Sequence, residues 1–136
     1  MSNVFSIAVS GMNAAAVKVK NAATNIANVS STGKLPTEGS EKATSYQPTD
    51  VISVSASIGD HNFGVTTQTI NREPAYSVAY DPSSPDANAK GLIAEPNVDL
   101  ASEIIDMKLA EISYQASAKV IATEKKNQET LIDTLS

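Results

Sequence analysis

The chain has 136 residues, of which 41% are hydrophobic and 4% aromatic, so it suits one domain, or one small domain with extended arms, without a large aromatic core. With a net charge of −5 and Lys125-Lys126 as its only adjacent basic pair, it lacks the clustered cations that phosphate backbones require, which excludes nucleic acid as a partner. It contains no cysteine, which excludes disulfides and thiolate metal sites but fixes no redox compartment.

The first predicted element is a helix over 1–29. Phe5, Val9, Met12, Ala16, Val19, Ala23 and Ile26 alternate steps of four and three, an a/d seam. Ser2 or Asn3 can cap its start. Small residues fill much of it, and Gly11 costs roughly 1 kcal/mol of helix propensity relative to alanine, which implies close packing or a bend. The helix is expected to end near Asn28, because asparagine tolerates the left-handed conformation that closes helices. Residues 30–45, rich in Ser, Thr and Gly with Pro36, read as a loop or arm.

A β-rich middle follows over 46–80. Ile52, Val54, Ala56 and Ile58 alternate with Ser53, Ser55 and Ser57, the period of a half-buried strand. Gly59, Asp60, Asn62 and Gly64 supply a turn, and Val65–Asn71 a second strand, together a hairpin. Tyr76, Val78 and Tyr80 share one face of a third short strand. A lone hairpin is marginal, so the sheet must lean on a helix or a neighbouring subunit. Residues 81–97 read as a loop.

The last element is a helix over 98–136, with Asn97 or Asp99 as its cap. Glu103 and Asp106 lie near its start and Lys119, Lys125 and Lys126 later, as the helix dipole favours. Ile105, Leu109, Ile112, Ala116 and Val120 form one stripe, which Leu100, Ile104, Met107, Tyr114, Ala118 and Ile121 widen. Leu131, Ile132 and Leu135 add a terminal apolar patch. The fold class is α+β: long terminal helices packing as a coiled-coil-like pair, with a small antiparallel, hairpin-containing middle and extended loops. The stripes alone fit an internal helix pair and an intersubunit coiled coil equally. The broad C-terminal face favours assembly, because an internal pair leaves part of it exposed.

Chemistry-bearing groups are sparse. His61 is the only histidine and lies in the predicted turn, so it reads as a solvated turn residue and not a base or metal ligand. Asp86, Asn88 and Lys90 imitate the opening of a calcium loop, which fails at Lys90 and at Asn97, where a bidentate glutamate belongs. Asn28-Val29-Ser30 matches a glycosylation sequon without secretory context. No catalytic, cofactor-binding or metal residues and no cofactor are expected. The N-terminus lacks the basic region and continuous apolar stretch of a cleavable signal, and no segment suits a bilayer span. A soluble protein is expected, leaving the cytoplasm, if it does, by a route that reads something else.

Two stretches go beyond periodicity. Ala22-Ala23-Thr24-Asn25-Ile26-Ala27-Asn28, then Thr32-Gly33, with Ser10-Gly11-Met12-Asn13-Ala14 before them, resemble the N-terminal motif of the bacterial flagellar axial proteins. Tyr80-Asp81-Pro82, Pro85-Asp86-Ala87, Gly91 and Pro96-Asn97-Val98-Asp99, continuing through Glu103, Met107, Ala110 and Tyr114-Gln115-Ala116, resemble the C-terminal half of the FlgC-type basal-body rod proteins, which are proximal rod subunits. Ser84 stands where that family usually has histidine, and Leu92 where it has an aromatic.

The resemblance implies a non-enzymatic subunit of a helical assembly, whose terminal helices line the rod around the export channel and whose β-rich middle lies outside. It implies a basal-body location, export through the flagellum-specific apparatus, and as partners copies of itself, other rod proteins, the membrane-ring base and the export apparatus, with no membrane insertion. The expected assembly interface comprises Phe5, Val9, Met12, Val19, Asn25, Ile26, Asn28, Ile105, Leu109, Ile112, Tyr114 and Val120. Burial of the stripes on assembly, at about 25 cal/mol per Å² of apolar surface, would couple folding to incorporation. The rivals are a different axial subunit, a small hydrolase or metal-dependent enzyme, and a helical adaptor or chaperone.

Overall fold

A computed structural model describes residues 2–37, 42–58 and 61–135, with side chains omitted at 2, 3, 58, 61 and 62. The elements in order are α1 (Ser2–Ala27), β1 (Thr49–Ile58), β2 (His61–Asn71), β3 (Tyr76–Tyr80), β4 (Leu92–Pro96) and α2 (Leu100–Leu135). The fold is α+β, with two long helices and two small antiparallel sheets between them. Capping by Ser2 or Asn3 and the turn at Gly59 and Asp60 lie outside the described residues. His61, Asn62 and Gly64, expected in the turn, instead belong to β2, which starts at His61 and not at Val65.

Both helix ends have identifiable causes. The Asn28 backbone N–H and its Nδ2 both donate to Thr24 O, at 3.1 and 2.9 Å. These bonds close the last turn of α1 without the expected left-handed residue, since no described non-glycine residue has positive φ. Asp99 caps α2: its Oδ1 accepts from Ala101 N at 3.1 Å and its Oδ2 from the Ser102 hydroxyl at 2.8 Å. The Ser102 bond, then the Ala101 bond, hold the Asp99 carboxyl below its ordinary pKa.

The chain divides into two compact units, the first comprising Met1–Lys20, Val51–Gln68 and Asp106–Ser136, the second Asn21–Asp50 and Thr69–Ile105. In the first unit the buried apolar residues among those described are all alanines: Ala8, Ala14, Ala15 and Ala110. The β1–β2 ribbon leans on α1 there, where Val65 N donates to Ser10 Oγ at 3.0 Å. Gly64, at φ 111°, allows this approach, because a Cβ there would lie 2.0 Å from Ser10 Oγ. The alternation in β1 does not produce a buried face. Ile52 and Val54 are exposed, as are Ser53 and Ser55, because no further strand joins this two-stranded ribbon.

The second unit is built around β4. β3 pairs with it antiparallel, from Tyr76 opposite Pro96 to Tyr80 opposite Leu92. On the other edge of β4, Gly33 and Ala94 exchange N–H···O bonds of 2.9 and 2.8 Å. Flanked on both edges, Ile93 and Ala94 are fully enclosed. This strand lies inside the stretch expected as loop. Its run Leu92-Ile93-Ala94 is continuously apolar and lacks the alternation that marks half-buried strands. The remaining loop, 81–91, is ordered by its own side chains: Asp81 Oδ1 accepts from Ser83 N and Oγ, and Asn88 Oδ1 from Lys90 N and Leu92 N. Asn88, the third position of the calcium-like run, is thus occupied within the loop.

Candidate assembly surface

Packing between the helices and the rest of the chain uses mostly small and polar side chains, and many of the large apolar ones on α2 point away from it. On α1 the buried positions are Ala8, Ala14, Ala15, Ala22 and Asn25, with Gly11 and Lys18 half-buried on the same side. On α2, Glu103, Met107, Ala110, Ser117, Ile121, Glu124 and Gln128 recur at helical spacing. Small residues let helices come close. A Cβ on Gly11 would lie 2.9 Å from Ser117 Oγ in the first unit. Ile105, Leu109 and Ile112, by contrast, are 58, 59 and 61% exposed, and Val120 and Tyr114 are also exposed. Burying one such side chain is worth about 1.5–3 kcal/mol, so α2 leaves that stabilisation unrealised within the chain itself. Leu131, Ile132 and Leu135 continue the exposure to the end of α2.

The expected interface residues divide accordingly. Val9 on α1 and Ile105, Leu109, Ile112, Tyr114 and Val120 on α2 are exposed. Phe5, Met12, Val19, Ile26 and Asn28 are half-buried. Asn25 is 0% exposed and spends its hydrogen bonds inside its own chain. The predicted α1 stripe stands one residue, about 100°, away from the buried seam. Alanine and glycine carry little hydrophobic weight, so the pattern of larger residues traced the half-buried flank of the seam.

In the second unit a polar cluster joins the helices to the strands. Asn25 Nδ2 donates to Thr49 O at 2.9 Å and to Glu103 Oε1 at 3.0 Å. Its Oδ1 accepts from the Tyr46 hydroxyl at 2.9 Å and from Thr49 N at 3.3 Å. All four hydrogen-bonding sites of the amide are filled. Asn21, one turn earlier, grips the same threonine: its Nδ2 donates to Thr49 O and its Oδ1 accepts from Thr49 Oγ1, both at 2.6 Å.

Arg72 completes the cluster. Its Nε donates to Asp50 Oδ1 at 3.1 Å, its Nη1 to Asn97 O at 3.1 Å and its Nη2 to Glu103 Oε1 at 2.8 Å. Hydrogen bonding to Asp50, with a smaller contribution from Glu103, outweighs desolvation and holds the guanidinium pKa above its ordinary value. Glu103 is 2% exposed, and no buried side-chain polar atom among the described residues lacks a partner. The sequence analysis missed Arg72 as a structural centre. The available signal was that it is the chain's sole arginine.

Among the described residues no group of three or more His, Cys, Asp or Glu could hold a metal ion, and no helix is long and apolar enough to cross a membrane. The cavity of about 510 Å³ beside Ile7, Gly11, Val65 and Val120 in the first unit is lined almost wholly by apolar atoms.

Residues 89–134, which take in β4 and nearly all of α2, match the family described as flagellar basal body rod FlgEFG protein C-terminal. The flagellar basal-body rod protein FlgC of Escherichia coli O6:H1 (strain CFT073) is 32% identical over 124 residues, covering 90% of this chain and 89% of that protein. FlgC of Salmonella typhimurium (strain LT2) has the same identity and coverage. FlgC of Aquifex aeolicus is 26% identical over 90% of this chain and 88% of its own length. Similarity over nearly the full length of both partners, with the named family's C-terminal region falling on α2, shows that this chain belongs to the FlgC family of flagellar basal-body rod proteins.

Proposed function

We propose that this chain is a structural, non-enzymatic subunit of the proximal flagellar rod. It assembles helically through the outward faces of its terminal helices, transmits torque and lines the export channel. The observation that carries this reading is the inverted packing of α2: Glu103, Ala110 and Ser117 turn toward the chain while Ile105, Leu109 and Ile112 stand in solvent. A self-contained adaptor would gain by the opposite arrangement. A subunit that is completed by neighbours needs this one.

The proposed interface comprises Phe5, Val9, Met12, Val19, Ile26 and Asn28 of α1 with Ile105, Leu109, Ile112, Tyr114 and Val120 of α2. Its partners are further copies of the chain, other rod proteins, the membrane-ring base and the export apparatus, through which the chain passes without a cleaved signal. Basal bodies purified from cells making an epitope-tagged copy are expected to contain the chain, on the axis next to the membrane ring. A strain lacking it should be non-motile, with rings but no complete rod. A tagged chain that restores motility yet is absent from basal bodies would overturn the assignment.

A further inference from the structure

The seam that α1 presents to its own chain is repetitive. Ala8, Ala15 and Ala22 recur every seven residues. A slip of one heptad, about 10 Å along the axis, would replace alanine with alanine. Gly11, close against Ser117 in the first unit, resists such a slip, but the alanine contacts hold helices together without choosing between settings. The polar cluster is the opposite kind of contact. In the second unit Asn25 meets Thr49, Tyr46 and Glu103 with every donor and acceptor used, and Glu103 Oε1 is shared between Asn25 Nδ2 and Arg72 Nη2. A one-heptad slip would bring Lys18 to the place of Asn25. It would strip Thr49 and Tyr46 of their amide partner and set a lysine beside Arg72.

We propose that Arg72 is a positioning residue which, through Glu103 and Asn25, selects one register of α1 against α2. Arg72 is suited to this because its fork reaches three segments at once: Asp50 in β1, Asn97 in the link before α2 and Glu103 in α2. Its own backbone is fixed as well, with Arg72 N donating to Pro48 O at 2.9 Å and Arg72 O accepting from Gln47 Nε2 at 3.1 Å. A buried polar cluster that adds little net stability yet excludes alternative registers is the best-attested use of such groups. The consequence reaches the outer surface, since the register of the helices decides which large side chains stand side by side there. The inference concerns the free chain and holds whatever that surface binds.

The chain has no cysteine, so spin labels can be placed on Ala23→Cys and Ala101→Cys, two exposed positions in the second unit. The distance distribution between them is read in the full-length chain, in the Asn25→Leu, Arg72→Met, Glu103→Leu triple variant and in Arg72→Lys. The native cluster should give one narrow peak. The triple variant should keep a cooperative melt but add a second, resolved population, its distance changed by up to about 10 Å, the length of one heptad. Arg72→Lys, which keeps the charge and loses the fork, should broaden the peak. A single unchanged peak in the triple variant would overturn the proposal. If that variant has no cooperative melt, Arg72→Lys decides, and an unchanged narrow peak there overturns it.

Discussion

Replacing Leu109 and Ile112 together with aspartate is expected to abolish incorporation into rods while leaving the free subunit folded. Both side chains are about 60% exposed in the chain itself, at 59 and 61%. Substitutions at such positions usually change stability by no more than about 0.5 kcal/mol, with a further few tenths for the poorer helix propensity of aspartate. In an interface the balance differs. Each position loses about 1.5–3 kcal/mol of burial and gains a carboxylate with no partner, which costs several kcal/mol more. The double variant should therefore melt within a few degrees of the wild-type subunit, yet fail to restore motility to a strain lacking the chain. Ala110→Asp is the control. Ala110 is buried against its own chain, so that variant should lose the native melt altogether.

Gly33→Ala should be among the most damaging single-methyl changes in the molecule. The added Cβ would meet Ser45 N at 2.3 Å and Thr44 C at 2.4 Å, both backbone atoms with no rotamer into which to retreat. The segments are held at that spacing from both sides. Gly33 exchanges two hydrogen bonds with Ala94, and its neighbour Lys34 bonds Thr44 through O···N at 3.1 Å and N···Oγ1 at 2.7 Å. Relief of the clash requires those bonds to lengthen. Overpacking costs about 1–3 kcal/mol and each lost backbone bond about 1 kcal/mol, so a loss of about 3 kcal/mol or more is expected. Urea unfolding of the full-length variant measures this directly. A midpoint equal to that of wild type would mean that Gly33 is not packed against Thr44 and Ser45 as described.

The helices were legible because their signals are local. The Asp99 cap, the end of α1 near Asn28 and the extent of α2 all follow from residues within a few positions of each boundary. The direction of the stripes was legible only in part. Their spacing was correct, but the seam that packs within the chain is made of Ala8, Gly11, Ala15 and Ala22, whose methyls and bare backbone barely register against Val9, Met12 and Val19. β4 escaped because enclosure on both edges permits a continuous apolar run that resembles a loop between prolines. The Arg72 cluster could not be read from spacing at all. Its hydrogen-bonded partners lie 21 to 78 residues apart, and only the fold brings them together. The sequence carried hints even so: a sole arginine, and two asparagines one turn apart inside a helix, where asparagine is a poor former. The Gly33 of the N-terminal motif now has a physical reason in the backbone approach of Thr44 and Ser45.

The central claim is that the large side chains of α2 face out of the chain and are buried only when subunits assemble. Because the chain has no native cysteine, single cysteines report this without background. Maleimide labelling rates of Ile112→Cys and Ala110→Cys should be measured in the free subunit and in purified rods. The account predicts that Ile112→Cys reacts quickly in the free subunit and is protected in rods, whereas Ala110→Cys is protected in both. Equal, rapid labelling of Ile112→Cys in free subunits and in rods would contradict it.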